Sequence, residues 1–240
     1  MDKITKQQRN RKTVHKYYNE YKVNVTKFFT PDKYTAYLLG FIWGDGHISL
    51  RQTKNRKTSS VMVNGVNSDI TEILPIFQTT GEWNIYNIKT KGNRQPQIRL
   101  TAFNRVFTEF LADNDYSNKS HNQNKILKII PENLHNYFLL GLIDADGCFY
   151  KHNKSPVKSF TITSTKEQDW SNIENIFKNL KISYKIWLDI RSKGNSSSIK
   201  ITNIDGLTKL KNYIYPNGFE FGLKRKFINC NKCCNVISVL

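Results

Sequence analysis

Residues 37–47 read YLLGFIWGDGH, and residues 138–148 read FLLGLIDADGC. Gly40 and Gly141, Asp45 and Asp146, and Gly46 and Gly147 all share one offset of 101 positions. The correspondence continues downstream. Ile76-Phe77 answers Ile176-Phe177, and Ile88-Lys89-Thr90-Lys91-Gly92-Asn93 answers Ile190-Arg191-Ser192-Lys193-Gly194-Asn195. Ile98-Arg99-Leu100-Thr101 answers Ile199-Lys200-Ile201-Thr202. Ordered matches at nearly constant spacing describe a duplicated unit of about one hundred residues, too long for a solenoid repeat.

Each copy reads as αββαββα. Helices are expected at 33–45 and 134–146 from length and Leu/Ala/Ile content, with Gly46 and Gly147 as the C′ residues that end them. Strands follow at 47–52 and 148–152, then at 59–66 and 157–164, the last alternating in VKSFTITS. Helices at 68–79 and 166–180 come next, then two further strands turning at Lys91-Gly92-Asn93 and Lys193-Gly194-Asn195. Helices at 103–112 and 204–214 close the units. The fold class is therefore α+β, with two pseudo-symmetric halves. Residues 1–30 form a basic N-terminal extension, 31–113 the first half, 114–132 a linker, 133–229 the second half and 230–240 a tail.

The duplicated helices carry small residues every fourth position: Ala36, Gly40 and Gly44 in one, Gly141 and Ala145 beside Tyr137 in the other. Such a stripe lets two helix backbones approach closely, so the helices are expected to pack on each other at the centre. Leu39, Phe41, Leu140 and Leu142 would then enter the two cores. Asp45 and Asp146 sit in the last helical turns, where the helix dipole disfavours a carboxylate by up to about 1 kcal/mol. Two such carboxylates side by side are costly unless a cation lies between them. Oxygen ligands of this kind suit Mg²⁺, with Mn²⁺ as a substitute.

The 240 residues hold 37 Lys+Arg against 19 Asp+Glu, a net charge of +18. That surplus points to a polyanionic partner, and the interleaved Lys, Arg, Asn, Tyr and Trp suit nucleic acid. The 38% apolar and 12% aromatic content excludes a disordered chain. No apolar run reaches the roughly 18 residues of a membrane span, and the polar first thirty residues do not read as a secretory leader. Cys148, Cys230, Cys233 and Cys234 do not make a disulfide framework. Cys230 and Cys233 have the spacing of half a zinc site, but no second pair follows, so the cysteines read as reduced thiols of an intracellular protein. The abundant Asn, Lys and Ile suit the AT-rich codons of a phage-infected or low-GC bacterial cytoplasm or an organelle.

LLGFIWGDG and LLGLIDADG resemble the two motifs of the LAGLIDADG homing endonucleases in their single-chain form. Leu140 stands where the family name has Ala, and Trp43 where many members have Asp. The resemblance implies antiparallel, saddle-shaped sheets in the DNA major groove and motif helices at the central interface. It implies that Asp45 and Asp146 bind divalent ions, with the backbone carbonyls of Gly44 and Ala145 completing the coordination. Asp144 would be secondary, a helix-end or orienting residue, with Trp43 as its counterpart in the first half. The basic residue that the family places near each site would be Lys119 in the first half and Lys224, with Lys226 next, in the second. Asn64 and Ser164 would position water. The outer faces of the strands would carry the DNA contacts, among them Arg51, Lys89, Arg99, Lys158, Arg191 and Lys200, with His152 nearby.

The function so implied is site-specific, metal-dependent cleavage of double-stranded DNA at a long asymmetric target by a monomer. The alternatives are a maturase that binds group I intron RNA, or a regulator that binds DNA without cutting it. Retention of both aspartates speaks against the two non-cutting readings.

Overall fold

The computed structural model describes residues 23–53, 56–89, 92, 95–119, 124–151, 157–191 and 194–234. After a short helix α1 (Thr26–Phe29), the first half runs α2 (Lys33–Asp45), β1 (Gly46–Thr53), β2 (Arg56–Val66), α3 (Asn67–Gln78), β3 (Asn84–Ile88), β4 (Gln97–Ala102) and α4 (Arg105–Asp113). A short helix α5 (Asn124–Ile129) and a 3₁₀ turn (Glu132–Leu134) lead into the second half. That half runs α6 (His135–Asp146), β5 (Gly147–Lys151), β6 (Lys158–Thr165), α7 (Ser171–Asn179), β7 (Lys185–Arg191), β8 (Gly194–Ile201) and α8 (Ile204–Ile214), followed by α9 (Lys224–Cys234). The duplicated αββαββα order is thus present in full.

Each half folds its strands into a four-stranded sheet, in the orders β1-β2-β4-β3 and β5-β6-β8-β7, with every pairing antiparallel. Inward side chains of both sheets (Val61, Val63, Leu100; Phe160, Ile162, Ile199, Ile201) are buried, so one face of each sheet is apolar. The duplication expected from sequence holds, but its register is refined. Gly46 pairs with Val63 and Val63 with Leu100, while Gly147 pairs with Ile162 and Ile162 with Ile199. Leu100 therefore answers Ile199, whereas the sequence match set Ile98 against it. Alternation survives a shift of two residues, so periodicity alone does not detect it.

The two motif helices meet at the centre. A Cβ on Gly40 would lie 1.9 Å from the carbonyl oxygen of Phe138, and one on Gly141 2.0 Å from that of Tyr37. The contact is reciprocal, and only glycine fits on either side. From Thr35 to Trp43 every residue of α2 is buried, which explains why the helix has no polar face. Asp32 starts it: its Oδ1 accepts from the Thr35 amide at 2.8 Å, and the Thr35 hydroxyl oxygen accepts from the Asp32 amide at 2.8 Å.

Gly46 and Gly147 end the helices for a different reason from the one expected. Neither is left-handed: their φ/ψ values are −81°/153° and −77°/150°. Each opens a strand that leaves tightly under the helix end, and a Cβ would stand 2.3 Å from the Ile42 carbonyl oxygen or 2.7 Å from that of Ile143.

Other boundaries differ as well. Helix α7 begins at Ser171, not at 166, because 166–170 form a turn in which Trp170 Nε1 donates to the buried Ser197 hydroxyl. Val23, Val25 and Phe28 of the N-terminal segment are buried, with Phe28 4.4 Å from Phe107. In the connector, Tyr116, Ile126 and Ile130 are buried. Helix α9 runs across position 230, with Cys230 and Cys233 buried. On β7 the apolar residues Ile186, Leu188 and Ile190 are 46%, 51% and 68% exposed. They lie on the Ile199 face but belong to the sheet's edge strand, which the helices do not cover. Residues 1–22, His152 and 235–240 lie outside the described residues.

Candidate functional site

The site begins where each motif helix turns into the first strand of its sheet. His47 and Met62 form one cross-strand pair, so the face opposite Val63 carries 47, 49 and, by continued alternation, 45. The same reasoning places 146 with Cys148 and Thr161 in the second half. Both carboxylates thus stand where the helix pair meets the outer sheet faces. They stand close together: the Asp146 carboxylate oxygen is 3.0 Å from where a Cβ on Gly44 would sit, and Gly44 itself precedes Asp45. Among the described residues neither carboxylate takes a hydrogen bond.

Their electrostatics follow from that placement. Burial of its protein-facing side, with the Asp146 charge second, raises the Asp45 pKa from 3.8 to about 6. Burial also raises Asp146, against the opposing pull of Lys119 and Lys226. The two titrate as a pair. In metal-free buffer the folded chain binds a proton that the unfolded chain releases above about pH 3.8, so this group's stabilisation is present at low pH and is lost as pH rises through about 6. Asp45→Asn should therefore melt higher than wild type at pH 8 by roughly 2–4 °C, about 1 kcal/mol once solvent screening on the open side is allowed for. The difference should vanish near pH 4 in a calorimetric series.

Two lysines close the helix ends. Lys119 donates to the carbonyl oxygens of Gly44 at 3.0 Å and Gly46 at 2.7 Å. Lys226 donates to those of Ile143, at 3.3 Å, and Gly147. Cations on C-terminal helix carbonyls complement the dipole and offset the aspartates. Burial lowers the pKa of both lysines. The geometry therefore makes Lys226 the counterpart of Lys119. Lys224 is exposed at the α9 N-terminus, its amide donating to Glu72 Oε1 at 2.9 Å. A helix presents one residue in three or four to a given face, which sequence reading of Gly222-Leu223-Lys224-Arg225-Lys226 does not fix.

Asp144 lies behind the pair, 1% exposed. Its Oδ2 accepts from the Tyr37 hydroxyl at 2.9 Å and the Leu223 amide at 2.8 Å, and its Oδ1 has no partner among the described residues. Burial raises its pKa to about 7. Gly222, at φ +101°, lets the chain pass: a Cβ there would be 2.6 Å from Asp144 Oδ2. Gly222→Ala combines a left-handed backbone with that collision and should cost about 2–3 kcal/mol, read as a lower denaturation midpoint.

The remaining expected residues divide. Asn64 falls on the outer face, in register opposite Asp45, and accepts from Arg99 Nε at 2.8 Å. Ser164 does not match it. It shares the Ile162 face and donates to Gln168 at 2.9 Å, while the residue in register opposite Asp146 is Thr163. Counting from Gly147 across the hairpin, instead of from the strand end, selects Thr163. Arg99 and Lys200 lie on the outer faces, and Lys89 is exposed just beyond β3. Lys158 is 7% exposed and lies on the Phe160 side of β6, towards α9, so it does not belong to the outer face. Arg51 and Arg191 are placed only by their strand pairing, with Thr58 and Gly194. Sequence reading did not single out Tyr86, which is 47% exposed and pairs with Arg99. Trp187, 57% exposed opposite Ser198, takes the matching place in the second sheet.

Residues 133–215 match the LAGLIDADG-like domain family. Among solved structures, the homing endonuclease I-DmoI in a mesophilic variant aligns at 18% identity over 85% of this chain and 96% of its own, with a TM-score of 0.56. I-DmoI in complex with DNA and Mn aligns at 19% identity over 76% and 96%, TM-score 0.55. I-SmaMI bound to an uncleaved DNA target with calcium ions aligns at 14% identity over 84% and 90%, TM-score 0.55. Comparison with curated proteins gives no match. No helix among the described residues is long and apolar enough to cross a membrane.

Proposed function

We propose that this chain, a two-motif LAGLIDADG protein by its second-half domain match and by a fold that aligns over 85% of its length, is a site-specific, divalent-metal-dependent double-strand DNA endonuclease. The observation that carries the reading is the pair of unshared carboxylates, Asp45 and Asp146, at adjoining helix ends flanked by two lysines. Structural ion pairs are normally satisfied, and this pair is left raised in pKa and open on one side.

The residues fit a hard cation. Two carboxylates that take no hydrogen bond from the described residues, next to the carbonyl ends of two helices, form an all-oxygen donor set. Asp45 and Asp146 would hold Mg²⁺ or Mn²⁺, with the Gly44 and Ala145 carbonyls beside them. When bound, such an ion supplies Lewis-acid polarisation of a phosphodiester and a lowered pKa for coordinated water. The chain's own groups do the rest. Lys119 and Lys226 add positive charge where the scissile phosphates would lie and hold the helix-end carbonyls in place. Asn64 and Thr163 offer polar atoms on either side for water or phosphate. The outer sheet faces, with Lys89, Arg99 and Lys200, would read the duplex, and the exposed rings of Tyr86 and Trp187 would offer apolar contact to thymine methyls. Because one chain supplies both halves, a monomer can address an asymmetric site.

Lys226→Met should slow cutting by on the order of 10²-fold, whereas Lys224→Met should change it less than about 3-fold, in single-turnover assays. The reading as a whole is tested by incubating the protein with a DNA pool of intron-insertion and randomised sequences, in Mg²⁺ and in EDTA. Discrete paired breaks in Mg²⁺ alone are expected. Tight, salt-sensitive binding of structured intron RNA with no DNA broken under any condition would replace the nuclease by the maturase.

A further inference from the structure

Each half ties down its lysine through the same position of the motif helix, by different chemistry. In the first half this position is Trp43, whose ring meets Tyr116 edge-on at 4.8 Å. Tyr116 is fixed in turn by donating its hydroxyl to the Leu39 carbonyl at 2.8 Å, and it precedes Lys119 by three residues. In the second half the position is Asp144, whose carboxylate accepts from the Leu223 amide at 2.8 Å. Leu223 precedes Lys226 by three residues, and its own carbonyl accepts from the Lys226 amide at 2.9 Å. The residue at 43 or 144 thus grips the chain one turn before the lysine in both halves, and each lysine then reaches back to the carbonyls at the end of that same motif helix.

We propose that Trp43 and Asp144 are positioning residues, each of which sets the placement of one lysine: Trp43 that of Lys119 through Tyr116, and Asp144 that of Lys226 through Leu223. The two anchors hold different segments, and among the described residues the one hydrogen bond between Asp144 and the first motif helix, from the Tyr37 hydroxyl at 2.9 Å, lies six residues before Trp43. The start of α9 has a second tether, in which Arg225 pairs with Asp69 and the Lys224 amide with Glu72. That clamp is exposed, whereas Asp144 is buried, so the solvent-screened contacts contribute less to the placement of Lys226. The proposal rests on the nuclease reading only for its kinetic consequence: loss of one anchor should slow cutting of one strand more than the other.

The test uses the full free chain and site-resolved reductive methylation with formaldehyde and cyanoborohydride, read by mass spectrometry. In wild type Lys119 and Lys226 should react slowly and Lys224 fast. Asp144→Leu should raise the Lys226 rate by roughly 10-fold or more, as local opening does, and leave Lys119 unchanged. Asp144→Asn keeps an oxygen acceptor for the Leu223 amide and should keep Lys226 slow. Trp43→Leu should release Lys119 alone, an arm that decides the idea even if Asp144→Leu does not fold. Asp69→Asn with Glu72→Gln should leave Lys226 slow. Unchanged lysine rates in folded Asp144→Leu and Trp43→Leu chains would overturn the proposal, as would both lysines speeding up together in either variant. These rates are read without DNA, so they stand even if the wild-type chain cuts nothing. If it does cut, Asp144→Leu should bias nicking towards the same strand as Lys226→Met.

Discussion

Asp146→Asn, and separately Asp45→Asn, should reduce double-strand cleavage by on the order of 10³-fold or more while DNA binding survives. The substitution is nearly isosteric and preserves the helix end, so the fold is not expected to suffer. It removes negative charge facing an incoming phosphate, so binding should hold or tighten, and the metal-free chain should become more stable, because the pair is held at raised pKa. Loss of cutting, retained binding and a higher melting temperature together separate an active-site role from a structural one. The measurements are single-turnover cleavage, a salt-series binding titration and calorimetry. A structural aspartate replaced by asparagine would lower the melting temperature instead.

Gly141→Val should prevent folding or cost more than about 4 kcal/mol, because the collision is with backbone. The added Cβ would fall 2.0 Å from the Tyr37 carbonyl oxygen and 2.8 Å from the Phe41 nitrogen, neither of which a rotamer change can move. Relief requires the two helices to separate, which opens the most buried part of the molecule. Gly44→Ala meets the Ala145 Cβ at 2.4 Å, an atom fixed to its backbone, but a methyl with a smaller overlap should cost less than the valine, although it also disturbs the Asp146 carboxylate. Gly92→Ala is the control. Among the described residues its Cβ would meet nothing, and only the positive φ of 66° opposes it, so about 1 kcal/mol is expected. Denaturant titration of the three variants should return that order.

Much of this was legible in the sequence because the chain states its design twice. The glycine stripe, the two aspartates and the order of elements needed only alternation, helical spacing and comparison of one half with the other. What escaped reading depends on how far a strand slides or which way a helix is turned. The two-residue slip that sets Leu100 against Ile199 preserves alternation, so nothing in the pattern marks it. Ser164 and Thr163 are both small and polar at a strand end, and only the pairing of Gly147 with Ile162 chooses between them. Lys224 and Lys226 differ by about half a turn on α9, and the choice follows from where Leu223 is held by Asp144, a contact between residues far apart in sequence. Lys158 is expected among the DNA contacts of the outer faces, yet β6 turns it inward.

In the proposed function the two helix-end carboxylates share a divalent-ion site at the junction of the two halves. Its most direct test is a crystal of the chain with the duplex recovered from the cleavage pool, soaked in Mn²⁺ and measured for anomalous scattering. Manganese peaks are expected within roughly 2.0–2.6 Å of the Asp45 and Asp146 carboxylate oxygens, the range of oxygen-ligated divalent cations. Peaks confined to other places, with both carboxylates unligated beside an intact or cleaved phosphodiester, would contradict it.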